Sequence, residues 1–177
     1  MNFSDWFSLT SAAEDGFVSV ADGCVRSGLY EHGLITVPGQ NLAAKTLMPW
    51  AWLIGTDVVA LTITWSGDLF FWSPKYEAVF FLDVQRGQST FVDRNVDYFF
   101  NDFLVADEIR NKVLRSGEFN SVNGLADELE YGQCYIQEPW ARHGGGSNAG
   151  YGKGDIYVYF CLVSREVEID LLSDRRG

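Results

Sequence analysis

The segment Val58-Val-Ala-Leu-Thr-Ile-Thr-Trp65 constrains this chain more than any other. It is a β-branched run of strand length, and Leu69-Phe-Phe-Trp72 follows after only Ser66-Gly67-Asp68. Two such runs joined by a short Gly/Asp connection read as an antiparallel hairpin. Val79-Phe-Phe-Leu-Asp-Val84 and Ser89-Thr-Phe-Val92, linked through Gln85-Arg-Gly87-Gln, extend the pattern, so residues 58–92 read as a meander of about four strands. Helical spacing follows it. Val96, Phe99, Phe100, Phe103 and Leu104 recur as one face of an amphipathic helix, Ile109, Val113 and Leu114 suggest a second, and Val122, Leu125 and Leu129 a third. Upstream, residues 3–13 read as a short helix, residues 17–21 and 34–37 as short β pieces, and Leu42 to Leu47 as a helix capped by Asn41. Residues 155–163, rich in Tyr, Val and Phe, read as a strand and residues 166–172 as a closing helix.

The expected fold is therefore α+β: an antiparallel β-meander with helices packed on one face, and a C-terminal strand and helix. The 177 residues suffice for one domain, or for two small halves packed as a unit: a sheet-rich half at 28–94 and a helix-rich half at 95–177, with 1–27 an N-terminal segment assigned to neither.

Charge narrows the function. With 24 Asp+Glu against 13 Lys+Arg the formal net charge is −11, which disfavours direct nucleic-acid binding and association with acidic lipid surfaces, because both need basic residues. The same excess would steer a basic protein partner. Residues 1–10 have no basic residue and no apolar core of a secretory leader, and the apolar stretch near Leu47 to Ile54 is too short to span a bilayer. A cytoplasmic protein with no membrane association is expected. Cys24, Cys134 and Cys161 form no paired motif, and with two His they lack zinc-ligand spacing, so neither a disulfide framework, a metal nor a cofactor is expected.

Three features could carry function. The stretch from Gly144 to Gly154 holds glycine repeatedly and reads as a loop, but it lacks both the Gly and the Ser/Thr that a phosphate-binding loop places around Gly152-Lys153. Cys134 and His143 could form a nucleophile and base with Glu138 or Asp155 as orienter, giving a small hydrolase or ligand-binding enzyme. The acids Asp102, Asp107, Glu108, Glu128 and Glu130, with Trp140, Arg142 and Tyr151 near the glycine stretch, could instead form a protein-binding surface, the acids giving rate and register and the aromatics affinity. An interaction scaffold is a third class.

Several segments also resemble a known family. They are Gly33-Leu-Ile-Thr-Val-Pro38, the strand Gly67-Asp68-Leu69 with Trp72, Asp97-Tyr-Phe-Phe-Asn-Asp-Phe-Leu104, and Glu130-Tyr-Gly-Gln-Cys-Tyr135 followed by Pro139 and Gly144-Gly145. Over about residues 28–170 this order is similar to the GAD-like and DUF1851 family, to which immunity proteins of type VI secretion DNase effectors belong. A broader superfamily of acidic α+β immunity proteins is the second resemblance, and the Gly-Asp-Leu strand favours the first. The resemblance implies a non-enzymatic cognate immunity protein whose partner is a toxin, basic around its nucleic-acid cleft. Pro139-Trp-Ala-Arg-His-Gly-Gly145 departs from the aliphatic stretch of that family, and residues 1–27 lack its leucine-rich entry helix.

Overall fold

The computed structural model describes residues 2–20, 23–145 and 150–174. A short helix α1 (Phe3–Trp6) leads into β1 (Leu9–Val20), β2 (Gly23–Tyr30) and β3 (Ile35–Val37). Helices α2 (Gln40–Leu47) and α3 (Ala51–Ile54) follow, then β4 (Val59–Thr64), β5 (Leu69–Ser73), β6 (Ala78–Asp83) and β7 (Gln88–Asp93). The helical segment comprises α4 (Val96–Tyr98), which runs on as a π-helical turn (Phe99–Phe103), α5 (Asp107–Lys112) and α6 (Ser116–Asn123). Strands β8 (Gln133–Glu138) and β9 (Gly150–Asp155) precede the long helix α7 (Ile156–Asp174).

Strands β1 to β7 form one sheet in sequence order, every neighbour antiparallel, while β8 and β9 form a separate hairpin. The four strands read from residues 58–92 are β4 to β7. They are extended by β1 to β3, so the segment left unassigned at 1–27 supplies an edge strand and the first part of its neighbour.

The central strands β3 to β5 are buried on both sides, the outer strands β1 and β7 being largely exposed, and strand alternation sorts the buried side chains into two cores. Leu61 and Phe70 enter a core with Phe99, Phe100, Leu104, Leu114 and Phe119 from the layer of α4 to α6. Ala60, Ile63, Leu69, Phe71 and Leu82 enter another with Trp50 and with Ile156, Phe160, Val163 and Val167 of α7. Helices thus cover both faces, where one had been expected. Continuous apolar runs such as Leu69-Phe-Phe, rather than strict alternation, are what a doubly covered strand requires.

Other departures have local causes. Only Phe3–Trp6 of the expected first helix is helical, closed by a capping box between Asn2 and Asp5. Gly39 rather than Asn41 is the N-cap of α2. The third expected helix stops at Asn123, so Leu125 is 92% exposed whereas Leu129 is buried against Gly33. Residues 156–163 are helix, not strand. Their β-branched and aromatic composition suits either state, and burial of Ile156, Tyr159, Phe160, Val163 and Val167 at helical spacing decides it. Strand β9 (Gly150–Asp155) takes up residues 150–154, expected as loop, together with Asp155, expected as the start of a strand. Gly152 and Gly154 leave room there for Glu138 and Ile136, whose atoms a Cβ would meet at 2.7 and 2.4 Å. The part of the glycine stretch at 146–149 lies outside the described residues.

Candidate functional site

The turn between β4 and β5 borders a concave surface. Gly67 has φ +83°, and a Cβ there would stand 2.6 Å from the Tyr159 ring and 3.4 Å from Cys134 Sγ, so glycine is required by both backbone and space. Asp68 donates its backbone N–H to Thr64 Oγ1 at 3.0 Å. Its carboxylate accepts from Val84 N at 3.1 Å and from Ser66 Oγ at 3.2 Å, tying this turn to the one between β6 and β7. Burial, with the nearby Asp83 carboxylate adding to it, pushes the Asp68 pKa up to about 6, against the opposing pull of the Val84 N–H and Arg115.

Asp68 borders a cleft of about 560 Å³ between the sheet, the α5–α6 junction, the β8–β9 hairpin and α7. On one side Arg115, in left-handed conformation just before α6, lays its guanidinium over Trp65 at 4.9 Å and pairs with Glu118 at 3.1 Å. Tyr151 from β9 stacks against the same Trp65 at 5.4 Å and donates its hydroxyl to Glu118. Burial and that carboxylate push its pKa up to about 12, so it is a neutral donor. On the other side Arg142 is held by Asp170 and by Glu166 at 3.6 Å from α7, and it donates to the Gln85 carbonyl at 3.4 Å. The Gln85 amide in turn donates to the Tyr159 hydroxyl, and burial pushes the Tyr159 pKa up.

The residues singled out in the sequence divide between two places. Asp102, Asp107, Glu108, Glu128 and Glu130 are all exposed, on consecutive elements of the layer formed by α4 to α6 and the loop that follows. Asp107 pairs with Arg110, and Glu108 with Lys112 at 2.7 Å. The Glu128 carbonyl accepts from Lys153 at 3.2 Å, which ties this loop to β9 and Tyr151. Trp140 and Arg142 belong elsewhere. Trp140 is half-buried, edge-on to Tyr159 at 5.9 Å and stacked with His143 at 5.8 Å, so it serves the core beneath α7 rather than standing free as an anchor. The Arg142 side chain is only 14% exposed. Large apolar side chains that do stand out of the acidic layer are Tyr98, 46% exposed, which was not singled out in the sequence, and Leu125, whose spacing suggested core.

The geometry does not join Cys134 to His143. Cys134 is fully buried beneath Gly67, and burial pushes its thiol pKa up, which removes nucleophilic character. His143 bonds Glu166 at 2.9 Å on the surface of α7. Among the described residues no group of three or more His, Cys, Asp or Glu could hold a metal ion, and no helix is long and apolar enough to cross a membrane. The cleft itself was missed in the sequence. Its residues come from 66 to 159 across several elements, and its single local signal was the Gly67-Asp68 turn.

No family model matches this chain, and no curated protein matches it. Among solved structures, the crystal structure of Atu4351 from Agrobacterium tumefaciens is similar, with a TM-score of 0.57 and 14% identity over 91% of this chain and 86% of that one. At that identity the likeness shows the fold alone.

Proposed function

We propose that this protein is a non-enzymatic cognate immunity protein, acting in the cytoplasm, which binds a secreted antibacterial toxin of the nuclease type and inhibits it by covering its active site. The observation that carries the reading is the exposed acidic layer. Asp102, Asp107, Glu108, Glu128 and Glu130 project from one run of consecutive elements in a chain of net charge −11. A nuclease must hold phosphates and so is basic around its cleft, and a carboxylate-rich surface attracts it over distances set by ionic strength. Tyr98 and Leu125, exposed among these acids, supply apolar surface for the contact. The Gly67-Asp68-Leu69 strand with Trp72 supports the family resemblance.

The test is a titration of the purified product of the adjacent open reading frame against this protein. A tight complex is expected, whose association rate falls steeply with added salt and falls about 10-fold or more when the five acids are replaced by their amides. Absence of a complex, or a rate indifferent to both salt and the five replacements, contradicts the proposal.

A further inference from the structure

The cleft beside Asp68 runs against the charge of the rest of the chain. Arg86, Lys112, Arg115 and Arg142 line it, with Asp68 and Asp83 as its acids: four of the chain's 13 basic residues but two of its 24 acidic ones. Among the lining residues the balance is +2 where the whole chain carries −11, with the carboxylates of Glu108, Glu118, Glu166 and Asp170 set against these cations from outside the lining.

Arg86 and Lys112, paired with Asp83 at 3.4 Å and Glu108 at 2.7 Å, are mostly exposed, whereas the other two cations are held in place. Glu118 grips Arg115 at 3.1 Å while Trp65 supports its guanidinium, and Glu166 and Asp170 grip Arg142. None of those three acids lines the cleft, so Arg115 and Arg142 are braced by carboxylates outside it. Fixed guanidinium groups recognise planar, bidentate anions with little ordering cost. Half-buried Phe81 and Tyr151 give it aromatic wall beside the Ser66 hydroxyl, with the buried Tyr135 and Tyr159 behind them. The volume of about 560 Å³ is that of a small-molecule site.

We infer that this cleft binds a small organic anion, its phosphate or carboxylate group drawn in by Arg86, Lys112, Arg115 and Arg142 and its apolar body against Phe81 and Tyr151. The inference goes beyond the protein-binding role and stands whether or not that role does, although the two surfaces adjoin at the Lys112–Glu108 pair.

Calorimetric titration of the full chain with phenyl phosphate and with benzoate, each to about 10 mM, tests it, with benzyl alcohol as the neutral counterpart. Saturable binding of either anion is expected, phenyl phosphate alone identifying a phosphate site and benzoate alone a carboxylate site. Affinity should fall several-fold in 0.5 M NaCl, a concentration at which screening shortens to about 4 Å. The double variant Arg86→Ala/Lys112→Ala should weaken binding by about tenfold. Its side chains are 75% and 74% exposed, so the fold is retained, and an unchanged thermal midpoint checks this. Shifts of the Arg115 side-chain N–H resonance on titration place the ligand. No saturation by either anion, equal binding of benzyl alcohol, or unchanged affinity in the double variant overturns the inference.

Discussion

Replacing Asp68 by Asn should stabilise the protein at neutral pH and leave it almost unchanged in acid. The folded-state pKa of Asp68 is raised from the usual 3.8 to about 6, chiefly by burial and next by Asp83. A carboxyl raised in this way contributes its full share of stability below 3.8, where both states are protonated. As pH rises the unfolded chain releases its proton first, so stability is lost progressively until the folded group has ionised, above about 6. A displacement of about two pH units, at ~1.4 kcal/mol each, sets an upper limit of about 3 kcal/mol. Water in the open cleft reduces this to about 1–2 kcal/mol. Asn keeps the local bonds: its carbonyl oxygen can accept from Val84 N, and its amide can donate to Ser66 Oγ. Urea unfolding of both proteins at pH 4 and pH 7.5 measures the effect, and the gain should appear only at the higher pH. A variant destabilised at pH 7.5, or an equal gain at both values, refutes the assignment of a raised Asp68 pKa.

Other outcomes follow from the same packing. Gly67→Ala forces a left-handed alanine into the Tyr159 ring and should cost about 2–4 kcal/mol in chemical unfolding. Tyr135→Phe removes a hydroxyl bonded to the Asp127 carbonyl at 2.8 Å and the Asn123 side chain at 3.0 Å; a loss of about 1–2 kcal/mol, with faster amide exchange across residues 123–130, is expected. A thiol reagent should label exposed Cys24 first in the native protein and Cys134 only on unfolding; rapid labelling of Cys134 would show that the site under Gly67 opens.

The elements legible in the sequence were those whose local chemistry and tertiary setting agree. The β4–β5 hairpin combines a β-branched run with a glycine that must adopt positive φ, and Asn95 caps the helical turn that carries Phe99 and Phe100. Where they disagree, tertiary burial decided. Tyr157-Val-Tyr-Phe160 has strand-like composition but lies in α7, because Tyr159 and Phe160 fill the second core. Strand β2 was hidden by Gly23 at its start and Gly28 within it, although Gly28 is needed there: a Cβ would meet Ser11 O at 2.4 Å. The acids of the candidate surface were legible because exposed charge needs no partner to be seen. Trp140 was not, since its surroundings come from α7. Apart from the Gly67-Asp68 turn the basic cleft was tertiary, for nothing local to Arg115 signals that Arg142 lines the same space.

Bacterial survival tests the central claim most directly. The product of the adjacent open reading frame is expressed in the cytoplasm alone, with this protein, and with the variant that neutralises Asp102, Asp107, Glu108, Glu128 and Glu130. The account predicts death in the first case, growth in the second, and growth lost or sharply reduced in the third while the variant remains folded and abundant. A neighbour that is harmless alone, or that kills equally in the presence of this protein, contradicts it.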